Sequence, residues 1–144
     1  MVDDAHGVGV LGNTGRGCAE HCGVDPRDVD IWMGTLSKSL ASCGGYIGGS
    51  ADLIDILRYA APGFVYSVGL PPAMTAAALA SLRVLRAERE RVDRLRANGA
   101  LFLREAHAAG LNTGNSEGLG MLPVFAGDMI ETVRVWHRVF APRH

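Results

Sequence analysis

Apolar residues along the chain fall into short runs separated by glycine- and proline-rich breaks. Met1-Val2 read as the close of a strand, and polar residues follow at once. Gly7, Gly9, Gly12, Gly15 and Gly17 crowd one stretch, which must be a loop. Gly17 to Cys22 suits one short helical turn, and Asp25-Pro26 marks a turn. Val29 to Leu36, with Ile31, Trp32 and Met33 at its centre, predicts a strand. Cys43-Gly44-Gly45 is a break, after which Tyr46-Ile47 suits a short strand. Ser50 stands where an N-cap is needed for a helix over Ala51 to Ala60, with Leu53, Ile54 and Leu57 on one face. Pro62-Gly63 stops that helix, and Phe64 to Val68 predicts another short apolar strand. Pro71 and Pro72 suit a helix start. Ala73 to Ala87 is rich in Ala and Leu, so a mostly buried helix is expected. Glu88 to Ala109 predicts a more charged amphipathic helix. Val92, Leu95, Leu101 and Phe102 supply its apolar side, and Gly110 its C-terminal stop. Leu119 to Phe125 predicts a strand, and Met129 to Phe140 an amphipathic helix.

Strands alternating with helices, and strands too apolar to face water, favour an α/β fold around a largely buried sheet. The chain has no internal repeat and no low-complexity tract. Composition shifts near Glu88 from Gly/Ala-rich to Arg/Glu-rich, which places a division between residues 1–87 and 88–144. So few strands, with abrupt ends at Met1 and at Ala141-Pro142-Arg143-His144, lead us to expect a fragment of a larger fold.

Composition narrows the function classes. The 144 residues are 48% hydrophobic and 20% charged, a globular balance. A net charge of −1 gives no footprint for nucleic acid or an acidic membrane. No apolar run approaches the ~20 residues of a membrane span. The N-terminal residues lack the basic and apolar regions of a signal peptide. Three cysteines form no disulfide framework and point to a reducing, cytoplasmic setting. Of the fourteen basic residues Lys38 is the only lysine. An arginine-favouring codon bias explains most of that imbalance. Lysine, unlike arginine, can lose its proton and act as a nucleophile, so the one surviving lysine stands out.

Three constellations bear on chemistry. Gly7-Val8-Gly9-Val10-Leu11-Gly12 fits G-x-G-x-x-G, but Asp3, Asp4 and His6 precede it and Asn13-Thr14-Gly15-Arg16-Gly17 follow. A dinucleotide fingerprint needs an apolar strand before it and a helix at its end. Cys18, His21 and Cys22, with Cys43 or His6, offer metal-ligating atoms without the paired spacing of zinc sites, so buried thiols and a helical-turn histidine explain them better and no metal is expected. The third group is Asp3, His6, Thr35 and Lys38, at the C-terminal ends of two predicted strands, where open α/β sheets bind ligands. A lysine among Thr35, Ser37 and Ser39 suits covalent attachment of a carbonyl cofactor beside a phosphate cup. A carboxylate at the neighbouring strand end suits a pyridinium partner, and a histidine three residues on suits a ring oxygen. A plain surface lysine beside an Asp/His turn remains the alternative.

One ordered set of motifs spans the chain. It runs Asp3-Asp4-Ala5-His6-Gly7-x-Gly9, Gly12, Gly15-Arg16-Gly17, Gly34-Thr35-Leu36-Ser37-Lys38-Ser39-Leu40, Gly44-Gly45-Tyr46, Phe64-Val65-Tyr66-Ser67, Leu70-Pro71-Pro72 and Thr113-Gly114-x-Ser116-Glu117-Gly118. This set resembles the α-oxoamine synthases, aminotransferase class I/II-like enzymes that use pyridoxal 5'-phosphate.

The resemblance implies the type I pyridoxal-phosphate-dependent transferase fold. Residues 1–87 would form part of its large cofactor domain and 88–144 part of its small C-terminal domain. It makes Lys38 the catalytic lysine that carries the cofactor, Asp3 the partner of the pyridine nitrogen and His6 the partner of the 3-hydroxyl. Thr35 becomes a phosphate ligand. Ser67 would face the phosphate of the neighbouring subunit in a homodimer, although Val68 stands where relatives often carry a further hydroxyl. The implied reaction joins an amino acid to an acyl thioester of coenzyme A or an acyl carrier protein, usually with loss of carbon dioxide. The family's ring-stacking group would precede Met1, and its carboxylate-binding arginine would follow His144. An aminotransferase of the same fold and a non-catalytic remnant are the rival readings.

Overall fold

The computed structural model describes residues 1–141. The chain divides into two compact units, Met1–Arg94 and Leu95 onward. In the first, β1 (Val2–Asp3), β2 (Ile31–Thr35) and β3 (Gly45–Gly49) form a three-stranded sheet in that order. β1 runs parallel to β2, pairing Val2 with Trp32 and Asp3 with Met33. β3 runs antiparallel to β2, from Ile31 opposite Gly49 to Thr35 opposite Gly45. The parallel pairing brings the C-terminal ends of β1 and β2 to one edge of the sheet, and Asp4 N–H donates to Met33 O at 2.8 Å to extend it.

Helix α1 (Cys18–Cys22) follows the glycine loop and ends on Gly23 in the left-handed region (φ 66°). Helix α2 (Ala51–Ala60) begins where its cap predicts, with Ser50 Oγ accepting from Leu53 N–H at 3.3 Å. It packs against β3, and α3 (Pro62–Val65) packs against it. Helix α4 (Pro72–Ala87) leads to α5 (Glu90–Ala108), within which the division into units falls. In the second unit α5 ends at Gly110 (φ 71°), with Leu111 N–H donating to Ala106 O at 2.9 Å. A single bridge joins Asn112 to Phe125. Thr113, 2% exposed, meets His107 Nε2 at 2.8 Å through its hydroxyl. Helix α6 (Met129–Phe140) is capped by Asp128, whose Oδ1 accepts from Glu131 N–H at 2.9 Å.

Two expected strands are absent among the described residues. Phe64–Val68 falls partly in α3. Pro62 presets the first helical dihedral, and Val65 N–H and Tyr66 N–H donate to Ala61 O and Pro62 O. A short apolar run takes local helical bonds when no strand pairs with it. Leu119–Phe125 pairs only through Phe125, because Gly118 and Gly120 take positive φ and Pro123 has no N–H to give.

Burial is also lower than expected. No residue of α4 is buried, and Leu79 stands 47% exposed. Within the strands only Gly34 is buried. Composition sets which residues tolerate burial, whereas burial itself requires a covering neighbour, and β3 is covered by α2 alone among the helices in extended contact with it. The buried apolar residues are Ala19, Leu40 and Val92 in the first unit and Ala106 in the second.

Candidate active site

The sheet register places Asp3 beside Met33, two residues before Thr35, so both ends of the parallel pair present polar side chains at one edge. Asp3 is exposed, and its Oδ1 accepts from Ala5 N–H at 2.9 Å. That bond turns the chain straight after the strand. Gly7 N–H returns to Asp4 O at 3.0 Å, closing a tight turn around exposed His6.

The lysine loop leaves the end of β2. Thr35 Oγ1 lies 3.2 Å from Gly44 O, to which it donates. With its one proton placed there, it accepts from Ser37 Oγ at 2.8 Å and from Ser37 N–H at 3.2 Å. Lys38 is exposed, and its amine has no hydrogen bond or ion pair among the described residues. Ala41 N–H donates to Lys38 O at 2.9 Å, and Ala41 sits at φ 49°, the one non-glycine residue in the left-handed region among those described. Ser39 Oγ donates to Val8 O at 2.6 Å and lies where a side chain on Gly9 would go. The lysine loop and the glycine loop are therefore in contact.

These positions bring Asp3 and Thr35, the last residues of β1 and β2, and His6 and Lys38, on the two touching loops that follow, to one sheet edge. Among the described residues Ser67 shares no hydrogen bond with these four; its Oγ accepts from Gly69 N–H at 3.2 Å in the turn after α3.

Sequence reasoning passed over three residues that hold this edge. Asp4, 6% exposed, accepts from Cys18 N–H at 3.0 and 3.2 Å. Glu20 accepts from Thr14 N–H, Thr14 Oγ1 and Arg16 N–H at 2.9 to 3.1 Å. Burial opposes the Glu20 carboxylate, yet the bonds from Arg16 and Thr14 outweigh it and hold its pKa below the usual value. Tyr46 lies over Gly34, whose missing side chain makes room for the ring. Burial, then the charge of Asp4, pushes the Tyr46 phenol up. Burial first, then a hydrogen bond to Asp4 and the Asp4 charge, push the Cys18 thiol up to about 11. The available signals were strand alternation, which sends Asp3 and Asp4 to opposite faces, and the paired glycines around Asp4.

Comparison with known proteins now sets the family. The model of the aminotransferase class I and II family matches residues 1–139. The chain belongs to that family. Similar curated proteins include 8-amino-7-oxononanoate synthase of Thermosipho melanesiensis, 50% identical over 117 residues, which are 81% of this chain and 30% of that protein. The same enzyme of Thioalkalivibrio sulfidiphilus is 40% identical over 139 residues, 96% of this chain and 35% of that one. Among solved structures, a serine palmitoyltransferase variant from S. paucimobilis with a bound PLP–myriocin aldimine superposes with a TM-score of 0.85 at 28% identity, covering 94% of this chain and 35% of that one. Serine palmitoyltransferase of Sphingomonas wittichii gives 0.83 at 31% identity, covering 94% and 34%. The chain thus has the type I pyridoxal-phosphate-dependent transferase fold and spans about a third of the length of the curated relatives it matches. These relatives are α-oxoamine synthases, the group its motifs resemble.

The side chains at the sheet edge suit the cofactor that those relatives carry. Among the described residues, Asp3 Oδ2 and the Lys38 amine have no hydrogen-bond partner, and Thr35 and Ser37 offer hydroxyls. A phosphate at these hydroxyls would exchange neutral hydrogen bonds for stronger charge-assisted ones.

Proposed function

We propose that this chain carries the lysine side of a pyridoxal-phosphate site for condensing an amino acid with an acyl thioester. The observation that carries the reading is the placement of the only lysine, its amine unbonded among the described residues, on the loop that follows β2, whose parallel partner β1 ends at Asp3. When bound, pyridoxal phosphate supplies an electron sink for charge developing at the Cα of an amino acid. Asp3 would pair with the ring nitrogen and keep it protonated. His6 would hydrogen-bond the ring oxygen, and Thr35 would hold the phosphate. Lys38 would attach the cofactor and afterwards move a proton at Cα, a task for the neutral form of an amine. The Ser39–Val8 bond keeps the Lys38 loop against the loop that bears His6, which limits how far the amine swings. Ser67 is assigned to the phosphate of a second subunit in a homodimer. Residues 1–87 are assigned to the large domain and 88–144 to the small one. The cytoplasm, where three free cysteines stay reduced, is the proposed compartment. No described helix is long and apolar enough to cross a membrane.

The test is direct because the chain offers one lysine and one N-terminal amine. Purified chain is mixed with limiting pyridoxal phosphate, reduced with borohydride and mapped by mass spectrometry. Near-stoichiometric label on Lys38, well above the N-terminal amine and lost in Lys38→Ala, is expected. Equal weak label on both amines would be ordinary amine reactivity and would sink the reading in favour of a non-catalytic remnant. If Lys38 is labelled, turnover with an acyl thioester separates condensation from amino transfer to a keto acid.

A further inference from the structure

Two identical residues stand side by side at the end of β1 and meet opposite surroundings. Asp3 is exposed at the sheet edge, whereas Asp4 is buried. Strand alternation is the cause. The Asp4 carboxylate reaches across fourteen residues to Cys18 N–H, the first amide of α1. It occupies the space that side chains on Gly7 and Gly17 would need. Gly17 has φ 96°, which alone favours glycine. Gly7 has no such dihedral, and the Asp4 carboxylate is the nearest group to the place of its missing side chain. The backbone also closes on Asp4, since Gly7 N–H and Val8 N–H both donate to its carbonyl at 3.0 and 3.4 Å. The turn that carries Asp3 and His6 is thus pinned at one point, from both the main chain and the side chain of Asp4.

We propose that Asp4 is a positioning residue: by holding Cys18 N–H it fixes the turn from which Asp3 and His6 meet the cofactor. The proposal rests on the reading of Lys38 and Asp3 given above, and it assigns Asp4 no contact with substrate or cofactor. Its action is mechanical. The Cys18 amide is part-buried, so on losing its acceptor it must find water or another partner, and the turn must open for it to do so. Asp3 and His6 lie one residue before and two residues after the pinned point, so they move with it.

Two variants of the 144-residue chain test this, each compared below its melting temperature. Asp4→Asn keeps an oxygen for Cys18 N–H, and Asp4→Ala keeps none. In the cofactor-free chain, hydrogen exchange of peptides over residues 3–8 and of the Cys18 amide should rise about tenfold in Asp4→Ala, with β2 and β3 unchanged, and stay within about threefold in Asp4→Asn. The pyridoxal phosphate needed to half-label Lys38 should rise about tenfold in Asp4→Ala and stay within about threefold in Asp4→Asn. A fold defect alone would speed exchange in the strands as well, and rescue by Asn would not occur. Equal losses in both variants would show that the charge matters and not the bond, overturning the proposal. Faster exchange in the turn with unchanged labelling would also overturn it. If Asp4→Ala does not fold, Gly7→Ala, which displaces the same carboxylate, is read by the same two measurements. Failure of the parent chain to label at Lys38 would remove the cofactor reading by itself, and the exchange arm would still decide whether Asp4 pins the turn.

Discussion

The stretch from Asp3 to Glu20 and helix α6 make opposite use of regular structure. The first holds a strand end, a glycine loop and the first residues of a five-residue helix. Yet Asp4, Gly7, Gly12, Gly15, Gly17 and Ala19 are all buried there. The second is twelve residues of unbroken helix with a good cap, and none of its residues is buried. The loop is held by two carboxylates that collect backbone donors, Asp4 from Cys18 and Glu20 from Thr14 and Arg16. Helix α6 holds its own backbone and presents Met129, Ile130, Val133 and Trp136 to the surface. Regularity and order of packing are therefore separate properties. A site can be built on an irregular segment when buried polar groups over-determine it.

The largest effect expected from breaking this contrast is at Gly17. A methyl there would overlap the Asp4 carboxylate and would have to sit at φ 96°. Gly17→Ala should lower stability by about 2–4 kcal/mol, read from the urea midpoint at constant slope. Gly23→Ala is the control. Gly23 has φ 66° but nothing within 4 Å of the added methyl, so the dihedral acts alone. Its cost should be about 1 kcal/mol. Equal costs at the two positions would mean that Asp4 yields freely and the loop is less tightly determined than its bonds suggest.

The next effect is at Glu20 and depends on pH. Burial opposes the charged carboxylate, but the bonds it accepts from Arg16 and Thr14 overcome it and hold the pKa below the usual glutamate value. A depressed folded-state value adds stability that is present above the unfolded value and lost as pH falls through the folded one. Glu20→Gln should therefore cost about 1 kcal/mol near neutrality, with the gap to the parent chain closing as the solution is acidified below about pH 4.5. A gap that stays constant from neutral to acid would show that these hydrogen bonds do not depend on the carboxylate charge.

The same contrast explains what could be read from sequence. Helices α2 and α6 occur over the residues that their patterns predict, because Ser50 and the 3.6-residue apolar spacing are local signals. Phe64–Val68 misled because a five-residue apolar run carries no information about a pairing strand. The Ala/Leu content of α4 misled because burial depends on neighbours that sequence does not name. Lys38 stood out as a candidate because it is the chain's single lysine, and Asp3 by its place in an ordered motif. Asp4 was not, since its type matches that of Asp3 and its partner Cys18 lies fourteen residues away. Only the combination of strand alternation with glycines at 7 and 17 would have separated the two aspartates.

The smallest effect sharpens the other side of the comparison. Trp136 is 61% exposed, and its one aromatic partner among the described residues is Phe140, with ring centroids 5.8 Å apart and planes tilted by 41°. An exposed aromatic pair one helical turn apart adds little to stability. Trp136→Ala should then shift the unfolding free energy by less than about 0.5 kcal/mol. The measurement is informative because a tryptophan ring carries much apolar area, so covering it in solution would change the answer several-fold. A cost above about 2 kcal/mol would place Trp136 against a covering surface under the conditions of the assay. Repeating the measurement over a range of protein concentrations would then decide the source of that cover. A cost that grows with concentration requires a second molecule, and a constant cost requires cover from within the same chain.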